Sequence, residues 1–174
     1  MRLPLLASLL LLGCAAPDGR RAVVEPWPGV DRVELRAAVD GLRVATGGDT
    51  DLAIGRCGDR PYCVAVVAID GYQCPATTDY DGEVKRCAGH TNPPGHEGAV
   101  IHVDAELGND ASTLAHELLH AIGVWEHTGS DAARDELMFP ERDIGVAAVF
   151  GPETARLYGE AFGVRLDAEP VAFE

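Results

Sequence analysis

Apolar and polar residues alternate along this chain with two different periods, and each period predicts one kind of element. Over residues 31–46 apolar side chains recur every three or four positions among charged ones, which predicts an amphipathic helix. Residues 51–55 and 62–69 are short apolar runs typical of strands. A further strand is predicted over residues 99–104, at an edge of the sheet.

Turn-forming residues mark the remaining boundaries. Residues 70–98 contain five glycines and three prolines, which predicts a long loop with at most one short strand. Pro152 and Gly163 stand where the first turn and the end of a last helix would fall. Asn109 or Asp110 can cap a helix that begins just after them. This succession of elements predicts an α/β (α+β) fold with a mixed sheet.

One stretch combines helical periodicity with residues that bind metals. His116 and His120 are four positions apart, so on a helix their imidazoles project from one face. The apolar positions of the same stretch fall on the opposite side and are Leu114, Leu118, Ala121 and Ile122. Two neutral imidazoles suit zinc and leave room for a third ligand and a water. Glu117 follows the first histidine, where its carboxylate can take a proton from that water.

The third zinc ligand is predicted just after this helix. Gly123 permits the positive φ that ends a helix and turns the chain back toward the metal. Glu126 and His127 follow, and either a carboxylate or an imidazole can bind zinc. We favour His127, because a turn that follows glycine can absorb one additional residue. Glu126 is the alternative third ligand.

The residues from His116 to His127 resemble the signature of metzincin zinc peptidases, H-E-x-x-H-x-x-G-x-x-H, with one extra residue before the last histidine. They look most similar to bacterial matrixin-like peptidases. Met138 lies eleven residues after His127 and is followed by Phe139 and Pro140, which resembles the Met-turn beneath the zinc of these enzymes. The resemblance implies a metzincin-like fold: a mixed twisted sheet, an active-site helix and a small C-terminal helical subdomain.

The same resemblance implies a zinc-dependent endopeptidase with one catalytic Zn²⁺. A zinc-activated water, with Glu117 as general base, would hydrolyse the peptide bond. An extended substrate would add as a strand beside residues 99–104. The alternative is a zinc-binding pseudo-peptidase, or a structural surface lipoprotein without catalysis.

Composition narrows the possible partners. The 174 residues suit one domain, and their formal net charge of −14 argues against a nucleic-acid partner, which requires a basic face. We expect a monomer that acts on a protein or peptide substrate.

Residues 1–13 predict a signal peptide, because Arg2 is followed by an apolar run too short to cross a membrane comfortably. The sequence Leu-Leu-Gly-Cys that ends at Cys14 resembles a bacterial lipobox, which implies lipidation of Cys14. Residues 14–30 would then form a lipidated tether and residues 31–174 the catalytic domain. We expect an outer-membrane lipoprotein of the bacterial cell envelope, anchored in the membrane by its lipid. Secretion is the alternative.

Four further cysteines predict two disulfides, because an exported protein meets an oxidising compartment. Three pairings are open, and we prefer Cys57–Cys63 and Cys74–Cys87, which join nearest neighbours. A zinc cluster of all four is the rival, although their spacing does not resemble a zinc ribbon. Residues 56–59 also resemble the latency motif of matrixin propeptides, in which a thiolate such as that of Cys57 would occupy the zinc.

A second metal site is a weaker hypothesis. His90, His96 and His102 precede the motif, and matrixins bind a structural zinc through histidines from a comparable loop and strand. Calcium is the other possibility, and its candidate ligands are Asp79, Asp81, Asp104 and Glu106.

Overall fold

The computed structural model describes residues 19–58, 62–78, 84–92, 98–129, 133–139, 147–167 and 169–173. The side chains of residues 74–78 and 84–86 are outside this description. Several predictions therefore fall on residues that lie outside it: the signal peptide, Cys14, the side chain of Cys74, Asp79, Asp81, His96 and Pro140.

The described elements are strands and helices that follow one 3-10 turn at Gly19–Arg21. The helices are α1 (Arg32–Ala45), α2 (Ala111–Ile122) and α3 (Pro152–Phe162). The strands are β1 (Val23–Pro26), β2 (Ala53–Ile54), β3 (Cys63–Ile69), β4 (Gln73–Thr78), β5 (Val84–Arg86), β6 (Gly89–Thr91), β7 (Gly98–Asp104), β8 (Ala148–Phe150) and β9 (Val171–Phe173). In the part of the chain that is described, no helix is long and apolar enough to cross a membrane.

Five strands form one mixed sheet in the order β2-β1-β3-β7-β6. Four of them run parallel, and β6 runs antiparallel to β7. The pairing of β3 with β7 extends over seven residues of each strand. Val64 and Val66 of β3 and Ile101 and Val103 of β7 are fully buried and alternate with partly exposed residues, so one face of the sheet packs in the core. The prediction of an α/β fold with a mixed sheet is confirmed.

The domain begins earlier than predicted. Strand β1 lies between β2 and β3, and its fully buried Val24 is paired with Ile54 on one side and Val64 on the other. The predicted boundary between a tether over residues 14–30 and a domain over residues 31–174 is therefore wrong. The strand was not predicted from the sequence because β1 is only four residues long and ends in proline.

Residues 70–98 contain more strand than predicted. β4 and β5 form an antiparallel pair, and β6 joins the main sheet. β6 is also the edge strand, so the prediction that residues 99–104 form the edge is wrong. β7 pairs with β3 along its whole length and with β6 through Ile101, His102 and Val103. The three residues of β6 include a glycine and carry no apolar run, and the sequence therefore gave no signal for them.

Helices α1 and α2 pack against each other, and α2 also packs on β6 and β7. The predicted helix over residues 31–46 corresponds to α1, and Asp31 is its N-cap. The Oδ1 atom of Asp31 accepts the amide of Val33 at 2.8 Å. Asn109 joins the two helix starts, because its Oδ1 accepts the amide of Asp31 at 2.8 Å and its Nδ2 donates to the carbonyl of Gly29 at 2.9 Å. The start of α2 is thus held against the start of α1.

The C-terminal part combines the predicted helix with an unpredicted pair of strands. α3 begins at Pro152, and Gly163 follows its end with a φ of 66°, as the sequence indicated. β8 and β9 pair antiparallel, and Phe173 of β9 packs against α1 at Gly41, where a side chain would not fit. Strands of three residues are too short to produce a recognisable alternation.

Tyr158 of α3 ties this part to the rest of the domain. Its buried hydroxyl bonds to Asp49 Oδ2 at 2.7 Å and to Thr50 Oγ1 at 2.8 Å, and Arg20 Nη1 lies 2.9 Å from the same Asp49 oxygen. Burial raises the pKa of Tyr158. The tyrosine therefore ties α3 to the segment that follows α1.

Gly108 provides a test of how closely the loop before α2 approaches the edge strand. A Cβ at this position would overlap the carbonyl oxygen of Ala88, which accepts the amide of Asp104 at 2.8 Å. We predict that Gly108→Ala lowers the free energy of unfolding by about 1–3 kcal/mol, as overpacking does. Urea denaturation measures the change.

Gly129→Ala is the matched control for this substitution. Nothing lies within 4 Å of a Cβ at position 129, so the stability should stay within about 0.5 kcal/mol of the wild type. Equal stabilities for the two variants would contradict the close approach.

Candidate metal centre

Helix α2 begins and ends at well-defined contacts. Its N-cap is Asp110, which was one of the two predicted candidates, Asn109 and Asp110. The Oδ1 atom of Asp110 accepts the amide of Thr113 at 2.9 Å. Gly123 ends the helix with a φ of 122°. The amide of Val124 then donates to the carbonyl of Leu119 at 2.9 Å, which turns the chain back beside the helix.

Three histidine side chains converge next to this turn. The Nε2 atom of His120 lies 3.1 Å from Nε2 of His116 and 3.1 Å from Nε2 of His127. Potential ligand atoms of all three lie within 4.8 Å of one another. Two nitrogens bound to a tetrahedral zinc at about 2.0–2.1 Å are roughly 3.3 Å apart. The spacing therefore suits a zinc ion.

The hydrogen bonds of the helix histidines show which ring nitrogens face each other. His116 Nδ1 lies 2.7 Å from the carbonyl oxygen of Leu137, and His120 Nδ1 lies 2.7 Å from that of Val124. A carbonyl oxygen only accepts, so each Nδ1 carries the proton, and in a neutral imidazole Nε2 then has a lone pair. Lone pairs 3.1 Å apart repel each other, whereas a cation between them would be bound. This donor set fits a zinc ion.

Burial favours the neutral form of two of these imidazoles, those of His120 and His127. Desolvation lowers the pKa of His120 to about 4, against the opposing effect of its bond to the Val124 carbonyl. Burial also lowers the pKa of His127. Neutral rings at neutral pH are the form that binds a metal.

The turn after Gly123 places His127 in the cluster and leaves Glu126 outside it. Glu126 is exposed, and the metal-binding group at this place consists of the three histidines. Trp125 stacks on His120 with ring centroids 5.5 Å apart. The extra residue is therefore accommodated in the turn, and the geometry favours His127 over Glu126 as the third ligand.

Glu117 is held by a residue that the sequence did not indicate. Its carboxylate is buried with the rest of the residue, and the hydroxyl of Thr91 donates to Oε2 at 2.6 Å. Gly89 lies beside it, where a Cβ would come within 2.8 Å of the Glu117 side chain. Both residues belong to the edge strand β6, and no sequence signal identified them because that strand was predicted as loop.

Met138 is fully buried, in a loop whose carbonyl groups contact the cluster and its surroundings. The carbonyl of Leu137, its neighbour, accepts the proton of His116 Nδ1. The carbonyl of Met138 accepts the amide of Thr128 at 3.0 Å, next to His127. The segment Leu137–Met138 thus orients the ring of His116 and holds the loop that carries His127.

Glu136 holds this segment in place and was also missed. Its carboxylate accepts the amides of Glu153 at 3.0 Å and of Thr154 at 2.6 Å, so it caps α3 from outside the helix. Gly151 leaves room for it, because a Cβ there would lie 2.9 Å from the carboxylate. A carboxylate in a polar stretch of sequence gives no indication of such a distant partner.

The residues proposed for a second metal are only partly brought together. His90 and His102 face each other on β6 and β7, and burial followed by the charge of His90 lowers the pKa of His102. They do not form a three-ligand group among the described residues. Asp104 is buried, and its oxygens accept the amides of Tyr72, Glu106 and Leu107 at 2.7–3.0 Å. The structural zinc and the calcium therefore stay hypotheses.

The predicted disulfide Cys57–Cys63 is present, with Cα atoms 5.4 Å apart. Both sulfurs are therefore unavailable as metal ligands, although Glu25 lies close enough to complete a three-residue group with them. The bond also argues against a latency role for Cys57. Cys87 is disulfide-bonded as well, and its predicted pairing with Cys74 stays a prediction.

Comparisons with known proteins add no assignment. A scan against models of protein families finds no match, and a search of curated proteins finds none either. The similarity to metzincins therefore rests on the residues of the motif.

Glu136 supplies a prediction about stability. Glu136→Ala leaves two amides at the start of α3 without their acceptor, and we predict a loss of about 1–3 kcal/mol in the free energy of unfolding. Urea denaturation monitored by circular dichroism measures it.

The control for this variant is Glu160→Ala, which removes a carboxylate from an exposed ion pair with Arg156 on the same helix. Its effect should stay below about 1 kcal/mol. An equally small effect of Glu136→Ala would show that the external cap does not stabilise the domain.

Proposed function

We propose that the protein is a zinc-dependent endopeptidase of the metzincin type, similar to bacterial matrixin-like peptidases. The observation that carries the proposal is the convergence of three imidazoles, two of them on a helix that also carries the buried carboxylate of Glu117. His116, His120 and His127 would hold the ion, and Glu117 follows the first of them on the same helix. The buried Met138, which follows the Leu137 that accepts from His116, supports the same assignment.

A bound zinc ion would supply Lewis acidity, which lowers the pKa of a water and polarises a carbonyl. Glu117 is the general base: its carboxylate accepts the proton of the attacking water and then delivers it to the leaving amine. The bond from Thr91 keeps one oxygen of this carboxylate in a defined position.

The position of Thr91 also suggests where the substrate lies. Thr91 belongs to β6, which forms one edge of the sheet. A peptide chain that adds to β6 as a further strand would pass along the residues that hold Glu117. We therefore assign an extended peptide, in place of a compact small molecule, as the substrate.

A structural zinc site favours four protein ligands, whereas a catalytic site retains three and an open position. In the described ranges of the chain, three ligands converge. This ligand count favours the peptidase over a structural lipoprotein, and the presence of Glu117 favours it over a pseudo-peptidase.

The place of action follows from the first residues of the sequence. A signal peptide over residues 1–13 and a lipidated Cys14 would export the domain and attach it to the bacterial outer membrane, with secretion as the alternative. The disulfide Cys57–Cys63 supports an oxidising compartment.

The proposal is tested by hydrolysis of a casein-type substrate with and without a chelator, in the wild type and in Glu117→Gln. The amide cannot accept a proton, so we predict a loss of at least about 100-fold in kcat with an unchanged zinc content. Glu160→Gln makes the same change at an exposed position and should retain full activity. Activity of Glu117→Gln within a few-fold of the wild type, or hydrolysis that survives the chelator, would refute the proposal.

The third ligand is tested by zinc analysis of two variants after dialysis. His127→Ala leaves two protein ligands, and we predict that it retains little zinc and no activity. Glu126→Ala should retain the metal, with a loss of affinity no larger than the 10- to 100-fold typical of residues outside the ligand set. A zinc-replete His127→Ala beside a zinc-free Glu126→Ala would show that Glu126 is the ligand.

A further inference from the structure

A cavity of 460 Å³ lies at the edge of the sheet opposite to β6. Its floor is formed where β1 and β2 end, by Pro26, Ile54 and Gly55. Arg32 and Arg36 of α1 form one wall. Its volume is within the roughly 300–1,000 Å³ that is usual for ligand pockets. Three strands separate this edge from the edge that holds Glu117.

The side chains around the cavity are positively charged overall, whereas the protein as a whole is negatively charged. Arg32, Arg36 and Arg56 line it, with Glu25 as the one acidic residue. The cavity therefore has an excess of two positive charges in a chain whose formal net charge is −14. A local excess of this sign raises the concentration of anions at the cavity.

The three arginines lack the partners that other arginines of this chain have. Arg20, Arg156 and Arg165 each lie within 3.2 Å of a carboxylate oxygen. Over the described ranges, Arg32, Arg36 and Arg56 form no hydrogen bond or ion pair. Their guanidinium donors are thus available to a ligand.

The backbone positions of these arginines are held by the fold. Arg32 and Arg36 are one helical turn apart on α1, so both project from the same face. Arg56 precedes Cys57, which is fixed by the disulfide to Cys63 and by its amide, which donates to Glu25 Oε2 at 3.0 Å. The same bond gives the carboxylate of Glu25 a partner away from the arginines.

We propose that this cavity binds a phosphate group, either as inorganic phosphate or at the end of a phosphomonoester. The planar guanidinium matches the oxygens of phosphate in pairs, and an excess of two positive charges suits a dianion. The amides of Val33 and Glu34 already donate to Asp31, so the arginine side chains provide the contacts. A bare phosphate would fill only part of 460 Å³, which leaves room for an ester group.

The test is a titration of the zinc-loaded full chain at constant ionic strength, followed by calorimetry and by amide NMR. The probes are inorganic phosphate, glycerol 3-phosphate and vesicles that contain phosphatidic acid. We expect saturable binding with shifts of the amides of Gly55 and Arg56. The triple variant Arg32→Gln, Arg36→Gln, Arg56→Gln should bind at least about ten-fold more weakly.

The matched control is the triple variant Arg43→Gln, Arg156→Gln, Arg165→Gln, which changes the net charge equally at exposed positions. It should bind like the wild type. Binding of the soluble probes assigns a free phosphate compound, and binding of the vesicles alone assigns a lipid headgroup. No saturable binding of any probe, an equal loss in both triple variants, or shifts confined to residues 116–127 would overturn the proposal.

Discussion

Helix α2 has to bury one side and present imidazoles from the other, and the candidate site depends on this constraint. Leu114, Leu118 and Leu119 are fully buried, so the helix cannot rotate without exposing them. The direction in which His116 and His120 leave the helix is therefore set by hydrophobic packing. The carbonyls of Leu137 and Val124 then bind one nitrogen of each ring and leave the other facing the cluster. Packing fixes the direction of the rings, and hydrogen bonding fixes their tautomer.

The surroundings of α2 come from distant parts of the chain. Thr91, on the edge strand, holds the carboxylate of Glu117, although 26 residues separate them. The loop that carries Leu137 is attached to α3 through Glu136. These contacts link the edge strand, helix α2 and the last helix. A change at Glu136 would reach the ring of His116 through the carbonyl of the neighbouring Leu137.

The two proposed sites occupy opposite edges of one sheet. At the β6 edge a short antiparallel strand runs beside Glu117, and at the β2 edge the ends of two parallel strands leave a cavity lined by arginines. The separation allows each edge to present its own chemistry, because side chains on β2 and β6 cannot contact each other across three intervening strands.

The sequence by itself determined the elements whose signals are local. Periodicity located α1, and Pro152 and Gly163 located α3. Asp110 was one of two candidate caps for α2, and the spacing of His116 and His120 placed two imidazoles on one face. Neighbouring cysteines located Cys57–Cys63. Only the tertiary structure showed that the turn brings His127, and not Glu126, next to His116 and His120. The path of a turn depends on what it packs against, and here Trp125 stacks on the ring of His120. The tertiary structure also revealed β1 and β6 as strands and Thr91 and Glu136 as partners of the site. The roles of short strands and single polar residues depend on contacts with residues that are remote in sequence. A local sequence pattern contains no information about those contacts.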